Sequence, residues 1–223
     1  MSKKSSVKVT PSSGNVFRDV GFSREEAGHL AIHAHLLIQL QKLIASRGLK
    51  QAEVAKGLTL DPSAKGRVFA ATSPGGVYLS EDGGETWTQV LNNPAWSITI
   101  DRNVPSRIYA TTKTAGVFRS LNGGKTWQDI STGLSPRTMG RSAPVIIDPT
   151  NPQVLYVASE ASAGGVFKSR DGGDHWFAMN AGLDNLAVYG LAMDPSNPAA
   201  LYASGPNGVY KTLDGADERP KIR

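Results

Sequence analysis

The chain has 223 residues, 39% of them hydrophobic, 7% aromatic and 19% charged, too apolar for wholesale disorder and long enough for one large or two small domains. It contains no cysteine, which excludes a disulfide framework, a cysteine-based zinc site and a thiol nucleophile. No apolar run is long enough to span a bilayer and no apolar h-region follows the basic start, so the expected setting is the cytoplasm, with no membrane partner and no cofactor.

The net charge of +5 is unevenly placed: residues 1–56 hold nine Lys/Arg against four Asp/Glu, and residues 57–223 hold fifteen of each. Two pieces with different partners are expected, with the boundary at Lys56/Gly57. Residues 1–13 read as a basic disordered tail. Ser23-Arg-Glu-Glu26 is a capping box opening a helix of about 24 residues that ends at Gly48. Leu30, Ala34, Leu37, Leu40 and Ile44 fall at helical spacing and form a stripe that needs a packing partner. His29 and His33 lie four apart on one face, but no third ligand accompanies them and no metal site is expected.

Asn15-Val-Phe17, the helix and Gly48-Leu-Lys-Gln51-Ala-Glu53 resemble the XRE-type helix-turn-helix regulators that serve as antitoxins. The resemblance covers residues 14–56 and implies DNA binding, yet the turn and recognition helix are missing, because Gly57-Leu-Thr-Leu-Asp61-Pro already belongs to the following repeats. Base readout comes from the second helix of such a pair. What is left is weak, salt-sensitive phosphate contact through Lys42, Arg47 and Lys50.

Residues 57–215 repeat. Asp61, Asp101, Asp148 and Asp194 each stand eight residues before an aromatic, Phe69, Tyr109, Tyr156 and Tyr202, at intervals of 40, 47 and 46 residues. A second element follows in each unit: Gly76-Val-Tyr-Leu-Ser80, Gly116-Val-Phe-Arg-Ser120, Gly165-Val-Phe-Lys-Ser169 and Gly208-Val-Tyr-Lys-Thr212. That period, with short β-type runs in every unit, is the signature of propeller blades. Strands are expected near 57–61, 67–72, 76–80 and 87–91, then 96–101, 107–112, 116–120 and 127–131, then 143–148, 154–159, 165–169 and 176–179, and finally 187–193, 200–204 and 208–212. The expected fold is therefore mainly β: a partial β-propeller of three complete blades plus most of a fourth, preceded by a small α-helical segment. Residues 216–223 form a charged tail. An incomplete arc leaves outer sheet faces that favour homo-oligomers or a cap.

A third element carries a resemblance. Ser80-Glu-Asp82-Gly-Gly84-Glu-Thr86-Trp87, Ser120-Leu-Asn122-Gly-Gly124-Lys-Thr126-Trp127 and Ser169-Arg-Asp171-Gly-Gly173-Asp-His175-Trp176 resemble Asp-boxes, or BNR repeats, and Thr212-Leu-Asp214-Gly is a decayed fourth copy. The box is a hairpin turn in which Asp or Asn accepts backbone N–H groups and glycine supplies positive φ. The three indoles are expected at equivalent buried positions. Its aspartates are thus structural.

The related sialidases imply glycoside hydrolysis, which needs two carboxylates at the scissile bond or a carboxylate-assisted tyrosine. Here no Arg-Ile-Pro signature occurs and Glu160 and Asp184 form no recognisable pair, so no catalytic residue is assigned. Non-enzymatic propellers of this type imply a binding or scaffold module with a protein or glycan ligand. The candidate ligand face consists of the loops at Asn92–Pro94, Thr132–Ser142, Glu160–Ala163 and Asp184–Asn185, with Arg137, Met139, Arg141, Glu160, Asp184 and Asn185 as contacts. A sialidase-like hydrolase fragment and a DNA-binding regulator are the alternatives.

Overall fold

The computed structural model describes residues 55–215 except 136, 138 and 140–143. The expected amino-terminal helix, the His29/His33 pair, Lys42, Arg47, Lys50 and Arg141, and the segment 216–223 lie outside the described residues. Among those described there is no helix.

Four antiparallel sheets follow one another along the chain. The first orders β1 (Ala55–Leu60), β2 (Val68–Thr72), β3 (Gly76–Ser80) and β4 (Thr88–Leu91) as an up-and-down meander. The second does the same with β5 (Ala95–Ile100), β6 (Ile108–Thr112), β7 (Val117–Ser120) and β8 (Gln128–Asp129). The third contains β9 (Ile146–Ile147), β10 (Leu155–Ser159), β11 (Gly165–Ser169) and β12 (Phe177–Ala178); the fourth has three strands, β13 (Gly190–Asp194), β14 (Asn197–Gly205) and β15 (Gly208–Thr212). The repeat fixes the register: Phe69 pairs with Leu79, Tyr109 with Arg119, Tyr156 with Lys168 and Tyr202 with Lys211.

Side chains alternate across each strand, so every sheet offers one row to its predecessor and the other to its successor. Phe69, Ala71, Val77 and Leu79 of the first sheet pack with Ile98, Ile100, Ile108 and Ala110 of the second. Tyr109, Val117 and Ile130 of the second meet Leu155, Val157 and Phe167 of the third. Ala158 and Val166 of the third meet Ala203 and Tyr210 of the fourth, beside Tyr156 with Leu201. Each buried Val, Leu, Ile or Phe among these contributes about 1.5–3 kcal/mol. The core is thus a series of interfaces between consecutive sheets.

Two expectations need correction. The outer strands begin at Thr88, Gln128 and Phe177, one residue after each tryptophan, because the indole belongs to the turn. Nor are the three indoles equivalent: Trp87 Nε1 and Trp127 Nε1 donate to Gly84 O and Gly124 O at 2.9 and 3.1 Å, whereas Trp176 Nε1 donates to Ile130 O of the preceding sheet at 2.7 Å. Trp176 and Trp87 are buried and Trp127 only half-buried.

Candidate functional site

The hairpin turns after the first and third strands of a sheet share one end of it. At that end the four repeat aspartates close the first turn. Asp61 Oδ1 accepts from Ser63 N at 2.8 Å, Asp101 Oδ1 from Asn103 N at 2.9 Å, Asp148 Oδ1 from Thr150 N at 2.8 Å and Asp194 Oδ1 from Ser196 N at 2.9 Å. Arg67 and Arg107 add ion pairs to Asp61 and Asp101 at 3.2 and 3.3 Å.

The Ser-x-Asp/Asn turns occupy the neighbouring position. The hydroxyls of Ser80, Ser120 and Ser169 accept from Gly84 N, Gly124 N and Gly173 N at 2.8, 2.8 and 2.9 Å. Asp82 Oδ1 and Asn122 Oδ1 accept from Thr86 N and Thr126 N, both at 2.9 Å, and Asp171 Oδ1 accepts from His175 N at 2.9 Å. The Thr86 hydroxyl and amide, joined by the Ser80 hydroxyl, bring Asp82 down to about 2. Partial burial pushes Asp171 the other way, but the His175 amide and ring and the Ser169 hydroxyl outweigh it and hold this carboxyl at about 2 as well. The two turns of a sheet are then tied together: Gly83, Gly123, Gly172 and Gly215 each donate an N–H to the carbonyl of Gly66, Ser106, Gln153 and Ala199, all at 2.8 Å.

The carbonyls of these same glycines carry a feature that spacing alone does not reveal. Arg67 of the first sheet donates to Gly123 O of the second. Arg119 Nη1 and Tyr109 OH of the second donate to Gly172 O of the third at 3.0 and 3.5 Å, with Arg119 also paired to Asp174 at 2.9 Å. Lys168 Nζ and Tyr156 OH of the third donate to Gly215 O of the fourth at 2.8 and 2.9 Å. Burial keeps the Tyr109 hydroxyl above its ordinary range, hence protonated and a donor. Every interface therefore directs a cation from one sheet onto the turn carbonyl of the next. Its trace in the sequence is the basic residue one place before Ser120, Ser169 and Thr212, replaced in the first unit by Leu79 and supplied there from Arg67. Glycine is required at the following position: Gly124 has φ 85°, and a Cβ there would lie 2.6 Å from Phe69 Cε1.

The opposite end of the sheets carries the loops expected to meet a ligand, and these residues are not drawn into one cluster. Arg137 is half-exposed and pairs with Asp129 at 2.8 Å. Partial burial works against the ionised Asp129 carboxylate, but the Ser131 amide and hydroxyl and Arg137 keep its pKa below the ordinary value. Met139 is a correction: it is fully buried among Trp96, Tyr109, Leu134, Val145 and Trp176, an apolar plug beneath its loop that no ligand reaches. Asp184 accepts the Tyr210 hydroxyl, which lowers the carboxyl and raises the phenol. Asn185 Oδ1 closes its own turn by accepting from Ala187 N at 2.9 Å. Glu160 is half-buried at the end of β10. Among the described residues no group of three or more His, Cys, Asp or Glu is placed to hold a metal ion.

Solved structures share this architecture. An ancestral GH74 enzyme superposes with a TM-score of 0.58 at 22% identity over 73% of this chain and 23% of its own. YCF48 from Cyanidioschyzon merolae gives 0.53 at 18% over 77% and 56%, and YCF48 bound to D1 peptide gives 0.51 at 14% over 77% and 54%. The chain spans about a quarter of the GH74 enzyme and just over half of YCF48. At these identities the likeness establishes a β-propeller fold. No curated protein matches the sequence. Residues 75–203, which run from the second hairpin of the first sheet into β14 of the fourth, match the family described as sortilin, neurotensin receptor 3, and on that match over more than half its length the chain belongs to the Sortilin–Vps10 family.

Proposed function

We propose that this chain is a non-enzymatic binding module, built on Asp-box propeller blades, whose partner is a protein segment received at the loop end of the sheets. The observation that carries this reading is the commitment of the carboxylates. The repeat aspartates each hold turn amides or hydroxyls, Asp129 holds Ser131 and Arg137, and Asp184 holds Tyr210. Acid–base work on a glycoside needs two carboxylates that trade protons across the scissile bond, and carboxylates fixed in this way serve positioning instead. The description of the family as a receptor and the D1 peptide bound to YCF48 favour a polypeptide ligand.

Full-length protein incubated with xyloglucan oligosaccharides and aryl sialosides is expected to release no product. It is expected to be retained on arrayed peptides, and Arg137→Ala with Glu160→Gln is expected to weaken that retention without moving the melting temperature. Turnover of either glycoside, or retention on arrayed glycans alone, overturns the reading.

A further inference from the structure

The chain holds two Asn-Gly pairs, Asn122-Gly123 and Asn207-Gly208. Such a pair is chemically distinctive. Glycine sets no Cβ in the way of its own nitrogen and leaves the backbone free to turn, so that nitrogen can close on the amide carbon of the asparagine before it. The fold treats the two pairs in opposite ways.

Asn122-Gly123 belongs to the Ser-x-Asn turn of the second sheet, where the atoms that such a closure must move are held. Asn122 Oδ1 accepts from Ser120 Oγ and Thr126 N at 3.0 and 2.9 Å, and its Nδ2 donates to Thr126 Oγ1 at 2.8 Å. The Gly123 nitrogen donates to Ser106 O at 2.8 Å, the Gly123 carbonyl accepts from Arg67, and the residue is buried. Freeing this nitrogen means opening the turn and the seam together.

Asn207-Gly208 lies at the other end of the sheets, at the tip of the hairpin between β14 and β15. Pro206, Asn207, Gly208 and Val209 are all exposed, and a Cβ placed on Gly208 would meet nothing within 4 Å. Gly205↔Gly208 is the last pair of the ladder. Opening it frees the Gly208 nitrogen without lifting any side chain, since both residues are glycines, and ladder ends are where local opening costs least. The Asn207 amide hydrogen-bonds Asp184, which is itself exposed.

We infer that Asn207-Gly208 is a site of self-modification, at which the folded chain converts its own side-chain amide to a carboxylate, and that the turn around Asn122 withholds the same reaction from the other pair. A base from solvent removes the Gly208 amide proton and the nitrogen bonds to Asn207 Cγ. The Cγ–Nδ2 bond then breaks and ammonia leaves, its last proton taken from water. Water opens the resulting five-membered ring. Attack at Cγ breaks its bond to nitrogen and leaves aspartate in a normal main chain; attack at the main-chain carbonyl carbon leaves isoaspartate, with the chain running through Cγ. Water is the only co-reactant, and no electrons change hands. Either product sets a second carboxylate where Asp184 had an amide donor, and like charges resist joint ionisation. The inference goes beyond the reading of the chain as a binding module and does not rest on it.

The test is incubation of the full-length protein at mildly alkaline pH, folded in buffer and unfolded in urea, followed by digestion and mass spectrometry of the peptides that carry Asn122 and Asn207. The quantity read at each site is how far folding slows the amide-to-acid conversion relative to urea. Slowing at Asn122 is expected to exceed that at Asn207 by ~10-fold or more. Equal slowing at the two sites, or greater slowing at Asn207, overturns the inference. The product is tested with Asn207→Asp, which is expected to raise the pH at which the Asp184 carboxyl titrates by NMR. An unmoved Asp184 titration overturns the placement of the new charge beside it.

Discussion

The Ser-x-Asp turn is a small device in which one carboxylate satisfies an amide and a hydroxyl four residues further along the same turn. Thr86 N and Thr86 Oγ1 reach Asp82 at 2.9 and 2.5 Å. Asn122 does the same with its amide, accepting from Thr126 N at 2.9 Å and donating to the Thr126 hydroxyl at 2.8 Å, so the turn tolerates loss of the charge. The charge nevertheless leaves a signature in acid. Asp82 and Asp171 titrate at about 2 in the fold, against an ordinary 3.8. Because the folded value is the lower one, their contribution is complete above about pH 5 and is lost as pH falls through 3.8 toward 2. Urea midpoints of the native protein should therefore fall between about pH 4 and 2, and the pair Asp82→Asn and Asp171→Asn should flatten that fall. An unchanged slope in the double variant would show that the acid sensitivity arises elsewhere.

At the scale of the element, the strands were legible because the repeat writes them four times. Glycine opens or immediately precedes each third strand, an aromatic marks each second strand, and the aspartates mark the turns, so most boundaries fall within a residue or two of those expected. The exceptions have physical causes. β9 shrinks to Ile146–Ile147, since it follows a long loop rather than a hairpin, and β14 lengthens to Asn197–Gly205 because Asp194 pairs with Asn197 in a tight turn. Met139 was misread because an apolar residue among Ser135, Arg137 and Arg141 looks like a contact, whereas the second seam needs a plug from that side. The cations at the seams were missed for the opposite reason. Arg119 and Lys168 look like ordinary surface positions of a half-exposed strand, and nothing local says that the next sheet's turn carbonyl will arrive above them. Their contribution can be measured at the third seam, where Lys168 is buried. Tyr156→Phe should cost about 1 kcal/mol and Lys168→Met about 1.5–3 kcal/mol. A double-mutant cycle should show the two coupled through Gly215 O, and additive effects in denaturant titration would mean that the carbonyl is not shared.

Among the described residues the core clusters join each sheet to its neighbours in the row, which makes stability a sum of sheet and seam terms rather than a single cooperative core. The seams are unequal. The one between the second and third sheets closes on eleven buried side chains with Trp176 and Met139 inside it, whereas the fourth sheet, which has three strands among the described residues, meets the third through a smaller cluster and leaves Val209 exposed. Amide hydrogen exchange should accordingly rank residues 155–159 and 165–169 as the most protected and residues 190–212 as the first to open. Uniform protection across all four sheets would instead indicate one cooperative unit.

The seam cations also give the row of sheets a direction. Every interface has a donor side and a carbonyl side, and the fourth sheet presents the donor side outward: Lys211 lies over the Tyr202 ring at 5.1 Å, as Lys168 lies over Tyr156 at 5.3 Å. Among the described residues Lys211 meets no turn carbonyl of a following sheet, since β15 belongs to the last sheet described. Isologous pairing demands that a surface complement itself, and this one complements only its opposite. The outward face of the last sheet is in this sense a plug without a matching plug. Such a face complements a surface bearing a turn carbonyl, which is what each of these sheets presents on its other side.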